Sequence, residues 1–244
     1  MVFGLFSKER SMQKTIERAT NKLSQQVDRW GALEKLKEDG GEEALFGLCK
    51  RFSITASKGI EDEQEKDWVV ATLVGFGVAA LPPLVRYMKT AEQLSFALKV
   101  LERIADPAKV LEVADQLFAS EPPGYVRMPD RRIDLLRWFG EWKGTSDDEL
   151  IARLTPYVSD FDENSRFATI DGMSGRDPAK IAPPLIAALI RPEEESGRIK
   201  RQIIEVLAAS KAPLGDSAEA VAKVLGSGPL GDGFKVDAGI VKKR

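Results

Sequence analysis

The sequence predicts an all-α protein: an α-solenoid of stacked antiparallel helix pairs, with an N-terminal helical cap and a short irregular C-terminal tail. Three observations predict it. Apolar residues recur at steps of three and four through most of the chain, the period of an amphipathic helix. Helical segments alternate with turns in units of roughly 30 to 40 residues, the range of helical repeat arrays. No strand-like alternation competes before residue 234.

Residues 1–40 are expected to form the cap. Ile16, Leu23, Val27, Trp30, Leu33 and Leu36 make one apolar stripe along a charged segment, and "EDGG" at 38–41 stops it with a glycine suited to a left-handed C-cap. Residues 41–227 are expected to be the repeats. "EEALFGLCKRF" reads as a short helix, and "SITASKGIEDEQEK" as a polar connection entering the acidic first turn of the next helix. Then come "DWVVATLVGFG", "AALPPLVRYMKT", "AEQLSFALKVLERIAD" and "PAKVLEVADQLFAS". After the long turn "SEPPGYVRMP" the pattern resumes in three further pairs, from "DRRIDLLRWFGEWKG" to "DSAEAVAKVLG". Ser146 with Glu149 three residues on reads as a capping box. Residues 228–244 read as a flexible basic tail.

Two Pro-Pro pairs punctuate the repeats, Pro82-Pro83 and Pro183-Pro184. Proline inside a helix removes a hydrogen bond and costs about 3 kcal/mol, but it is harmless in the first turn. Each pair is therefore expected to open a helix.

"FGVAALPPLVRYM", "IADPAKVLEVADQL" and "RDPAKIAPPLIAAL" resemble HEAT repeats, including the subclass seen in phycobilisome-lyase-like proteins. The resemblance covers about residues 65–226 and rests on packing and turn residues. It implies that the second helix of each pair lines a concave surface. Arg86, Tyr87, Lys109, Glu112, Arg153, Tyr157 and Lys180 are then the expected partner-binding positions. It also implies a non-catalytic scaffold or adaptor for another protein. A HEAT-like nucleic-acid-binding protein or DNA glycosylase, and a bilin-lyase-like protein, are the alternatives.

The composition bears on the same question. The chain has 244 residues, a net charge of −2 and no histidine, which removes imidazole-based catalysis and histidine-ligated metals. No basic surplus marks a nucleic-acid-coating protein. No catalytic residue, metal site or cofactor is expected, and the chain is not expected to be an enzyme. The single Cys49 sits in apolar sequence and reads as a buried small hydrophobe. It fits a reducing compartment, and the cytoplasm is the expected location. No membrane span is expected. The runs "EDEQEKD" and "RPEEES" and the pair Arg131-Arg132 read as solvated faces, and "LGSGPLGDGFK" as a linker. Trp142 is expected in the core, while Trp138 is a candidate exposed anchor. Val2, Phe3, Leu5 and Phe6 form a candidate N-terminal anchor for a partner or a membrane surface.

Overall fold

The computed structural model describes the backbone of residues 2–244 and the side chains from residue 9 onward. The candidate anchor at Val2, Phe3, Leu5 and Phe6 therefore lies outside the described side chains. The described chain is all-α apart from a C-terminal hairpin, and it divides into two compact units, 1–117 and 118–244.

The first unit holds α1 (Val2–Ala19), α2 (Gln26–Asp39), α3 (Glu42–Lys50), α4 (Gly59–Phe76), α5 (Leu81–Met88), α6 (Ser95–Ile104) and most of α7 (Pro107–Ser120). Helices α2, α4 and α6 lie side by side in one layer, α3 and α5 in a second, and α1 packs on α2 and α3. The expected single stripe from Ile16 to Leu36 is two helices: the chain breaks between Ala19 and Gln26, and Leu23 and Val27 are exposed. Gly40, at φ 62°, caps α2 in the left-handed conformation as expected.

A buried ionic cluster ties α2, the end of α3 and α4 together. Arg29 donates to both oxygens of Glu65, Arg51 donates to Glu65 at 2.7 Å and to Asp62 at 2.7 Å, and Lys66 pairs with Asp62 at 2.7 Å. Asp62 also accepts the Ala56 N–H. Glu65 and Arg51 are fully buried. The run "EDEQEKD" is thus no solvated face. Three cations and three carboxylates (Glu61 being the third) balance, and breaking such a set costs far more than its net contribution to stability.

The segment Gly59–Met88 is long and apolar enough to cross a membrane by length and composition, against the expectation of no such segment. A core helix passes the same test. Here the segment begins in the ionic cluster, Val69, Leu73 and Leu84 are buried, and the 3-10 turn Gly77–Ala80 interrupts it.

The second unit holds α8 (Asp130–Glu141), α9 (Asp147–Leu154), α10 (Glu163–Met173), α11 (Pro178–Ile190), α12 (Gly197–Ser210) and α13 (Ala218–Gly226). Helices α8, α10 and α12 form one layer, and α9, α11 and α13 the other. Helices α8 and α10 approach so closely that a Cβ on Gly140 would stand 2.5 Å from the Cα of Gly172. The capping box at Ser146 and Glu149 forms as expected. The expected flexible tail is instead the antiparallel hairpin β1 (Phe234–Asp237) and β2 (Ile240–Lys243), with Phe234 and Val241 buried against α13 and α12.

The two Pro-Pro pairs part company. Pro82 and Pro83 do occupy the first turn of α5. Pro183 and Pro184 stand inside α11, because Asp177 caps the Ala179 N–H and Pro178 takes the N-terminal position. Pro183 faces solvent and Pro184 is half-buried, while Leu185 and Ile186 after them are buried in the core.

Candidate functional site

The positions expected to bind a partner are placed as follows. Arg86, Tyr87, Lys109 and Glu112 belong to the first unit, and Arg153, Tyr157 and Lys180 to the second. Tyr87 and Tyr157 are each only 3% exposed and cannot serve as contact residues. Their rings fill the core, and their hydroxyls meet Ser53 Oγ and the Glu121 carbonyl. Trp138 is also buried and stacks on Trp142 at 5.7 Å, so it is no exposed anchor.

The cations are accessible but engaged. Arg86 forms a two-pronged bond to Glu43, at 2.6 and 2.9 Å, and lies 3.6 Å over the Phe46 ring. That bond holds the Glu43 carboxyl below the usual carboxylate range. Lys109 pairs with Glu112 at 2.8 Å, Lys180 with Asp148 at 2.7 Å, and Arg153 donates to the Glu149 carbonyl. Each lies beside a neutralising neighbour rather than presenting an open positive row.

The exposed apolar surface with the firmest support lies elsewhere, in the second unit. Tyr125 and Phe161 are 76% and 70% exposed, and their rings meet edge to face at 5.3 Å. Met128, on the same loop as Tyr125, is 62% exposed. Tyr125 comes from the turn between α7 and α8, and Phe161 from the turn before α10.

Both turns are fastened from beneath by Asp160, which is 2% exposed. Its Oδ2 accepts from Arg132 at 2.8 Å and from the Gly124 N–H at 3.2 Å, while Oδ1 accepts from the Asp162 N–H at 2.8 Å. Arg132 also donates to the Gly124 carbonyl at 2.8 Å, so both polar groups of that peptide are held. Gly124 has φ 128°, a conformation other residues rarely adopt, and this explains a glycine directly before Tyr125. On the other turn Arg166 donates to the carbonyls of Asp160 and Phe161, and it is anchored in turn by Glu194, 1% exposed.

Arg132 and Glu194 are thus structural, although "RRIDLL" and "RPEEES" read as solvated. The result is a polar foundation under an apolar, exposed pair. The signal available in the sequence was the aromatic residue in "PPGYVRMP", outside any helical stripe, and a second one in "SDFDEN", between two turn-forming aspartates.

Among the described residues no group of three or more histidine, cysteine, aspartate or glutamate side chains is placed to hold a metal ion. Cys49 is buried, and burial pushes its thiol up to about 12.

No family model and no curated protein matches the chain. Among solved structures, human deoxyhypusine hydroxylase in complex with glycerol matches over 93% of this chain and 92% of its own, at 16% identity and a TM-score of 0.34. That protein is an enzyme, and the expectation of a non-catalytic scaffold, with its statement that the chain is not an enzyme, is corrected on that finding. A likeness this distant carries no argument about which reaction this chain could perform.

Proposed function

We propose that this chain is a HEAT-like helical-repeat protein that recognises another protein through the Tyr125–Phe161 surface. The observation that carries the reading is the contrast between two adjoining layers: a buried, fully bonded Asp160 beneath, and two aromatic rings left in water above. Covering each ring is worth about 3 kcal/mol from area alone. Leaving both rings uncovered on anchored turns is costly for an isolated protein and useful for a binding one. Rigid aromatic anchors are the residues that dominate interface energetics, because little entropy is lost in holding them still. With one cysteine, buried as a thiol, a reducing compartment such as the cytoplasm suits the chain.

The test compares the full chain with a Tyr125→Ser/Phe161→Ser variant in quantitative affinity capture from the native extract. Proteins recovered with the parent chain are expected to be lost with the variant, while the melting temperature stays within a few degrees. Equal recovery with both chains rejects the surface.

A further inference from the structure

We infer that the segment seated on the Tyr125–Phe161 surface is an acidic peptide of the partner, with a bulky apolar side chain for the rings and a carboxylate for Arg127. The inference rests on the reading of this surface as a protein-binding site. It adds the chemistry of what binds.

The arginines around the site differ in whether a carboxylate of the chain holds them. Arg131 pairs with Glu121 at 2.7 Å, Arg132 with Asp160 at 2.8 Å and Arg166 with Glu194 at 2.8 Å. Arg127 is exposed and has no carboxylate partner among the described residues. It stands two residues after Tyr125 and directly before Met128, so an exposed cation shares its turn with two of the exposed apolar side chains. Asp130 is the nearest acid in sequence. It occupies the first turn of α8, where a carboxylate complements the helix dipole.

A partner that covers the rings also removes water from around Arg127. An unpaired guanidinium loses hydration there, and a partner carboxylate restores its bonds in two-pronged geometry. A neutral or basic segment would leave that charge stranded, so Arg127 selects as well as attracts. Nucleic acid fits the surface less well. The net charge is −2, the neighbouring arginines are engaged by carboxylates, and edge-to-face rings offer no parallel platform for successive bases.

The test pans a random peptide library displayed on phage against the immobilised full chain. Selected peptides are then made synthetically with a fluorophore, and their affinities are measured by anisotropy. The expected consensus carries a leucine, phenylalanine or tryptophan with aspartate or glutamate within about four positions. Affinity should fall at least tenfold with Tyr125→Ser and at least fivefold with Arg127→Glu. Arg127→Lys should retain more binding than Arg127→Glu, and added salt should weaken the parent. Both positions are exposed, and a melting curve confirms that each variant is folded. Peptides that depend on Tyr125 but are indifferent to Arg127→Glu overturn the acidic partner and leave the binding surface standing. Peptides indifferent to Tyr125→Ser, or a library that yields no binder, overturn both. Displacement of bound peptide by a thymidine 20-mer, with tighter binding of that oligonucleotide, assigns the surface to nucleic acid and overturns the inference.

Discussion

Replacing Asp160 with asparagine tests whether the foundation under the aromatic pair is what holds it. The change is nearly isosteric and removes one negative charge. Asp160 accepts three hydrogen bonds, from Arg132, from Gly124 and, on its other oxygen, from Asp162. An asparagine keeps one oxygen, and its amide group then opposes a donor on the other side. At least one bond is lost, at about 1 kcal/mol or more for a buried group left unsatisfied. Arg132, 3% exposed, loses the negative charge of its partner whichever way the amide turns, and its Nε has no partner among the described residues. Stranding a buried charge costs roughly 3 kcal/mol or more. The expected loss is therefore about 3 to 4 kcal/mol, which for a chain of this length lowers the melting temperature by about 6 to 16 °C. Differential scanning calorimetry at neutral pH measures it. Asp160→Asn/Arg132→Met should recover part of the loss, since the stranded charge goes with the arginine, and the double-mutant cycle reports the coupling. A drop below about 2 °C, or fully additive losses, would refute the reasoning.

Two further outcomes follow from the first unit and need no partner. Cys49, buried and with its thiol pushed up to about 12, should react with a disulfide reagent at pH 8 at least a hundredfold more slowly in the native chain than in denaturant; equal rates would mean that the α3 core opens readily. Burial draws the Asp62 carboxyl upward, but bonds from the Ala56 N–H, Lys66 and Arg51 together hold it below the usual carboxylate range. A depressed folded-state value means stability that is present above the ordinary range near about 4 and is lost as pH falls through the depressed value. The melting temperature should therefore drop as acid is added below about pH 4, and Asp62→Asn should start lower at pH 7 and decline less; parallel curves would contradict this.

The helices were legible because periodicity is a local property. Stripes, caps and the first-turn prolines of α5 are written within a few residues of where they act. The failures share one cause. Glu65, Arg132, Asp160 and Glu194 look like surface residues in any window of ten, since charged residues are seldom fully buried. Each is buried with a partner that arrives from far along the chain, as Arg29 does for Glu65 across 36 residues and Arg132 for Asp160 across 28. The same limit misplaced the prolines of α11: "IAPPL" and "ALPPL" are alike, and only Asp177-Pro178 upstream decides that one pair opens a helix and the other stands inside it.

The tyrosines show the same limit from the opposite side. The HEAT resemblance put Tyr87 and Tyr157 on the open face of their helices, among the partner-binding positions. The fold gives those hydroxyls partners of their own and turns the rings inward. Tyr125 and Phe161 belong to no stripe, so no periodic argument assigned them a face at all. Their significance comes from the contrast with their surroundings. An exposed aromatic on a loose turn needs no explanation, because the turn can fold it away. An exposed pair whose turns are pinned by a buried carboxylate has no such freedom, and a surface that must remain apolar and in place is one that a partner can use.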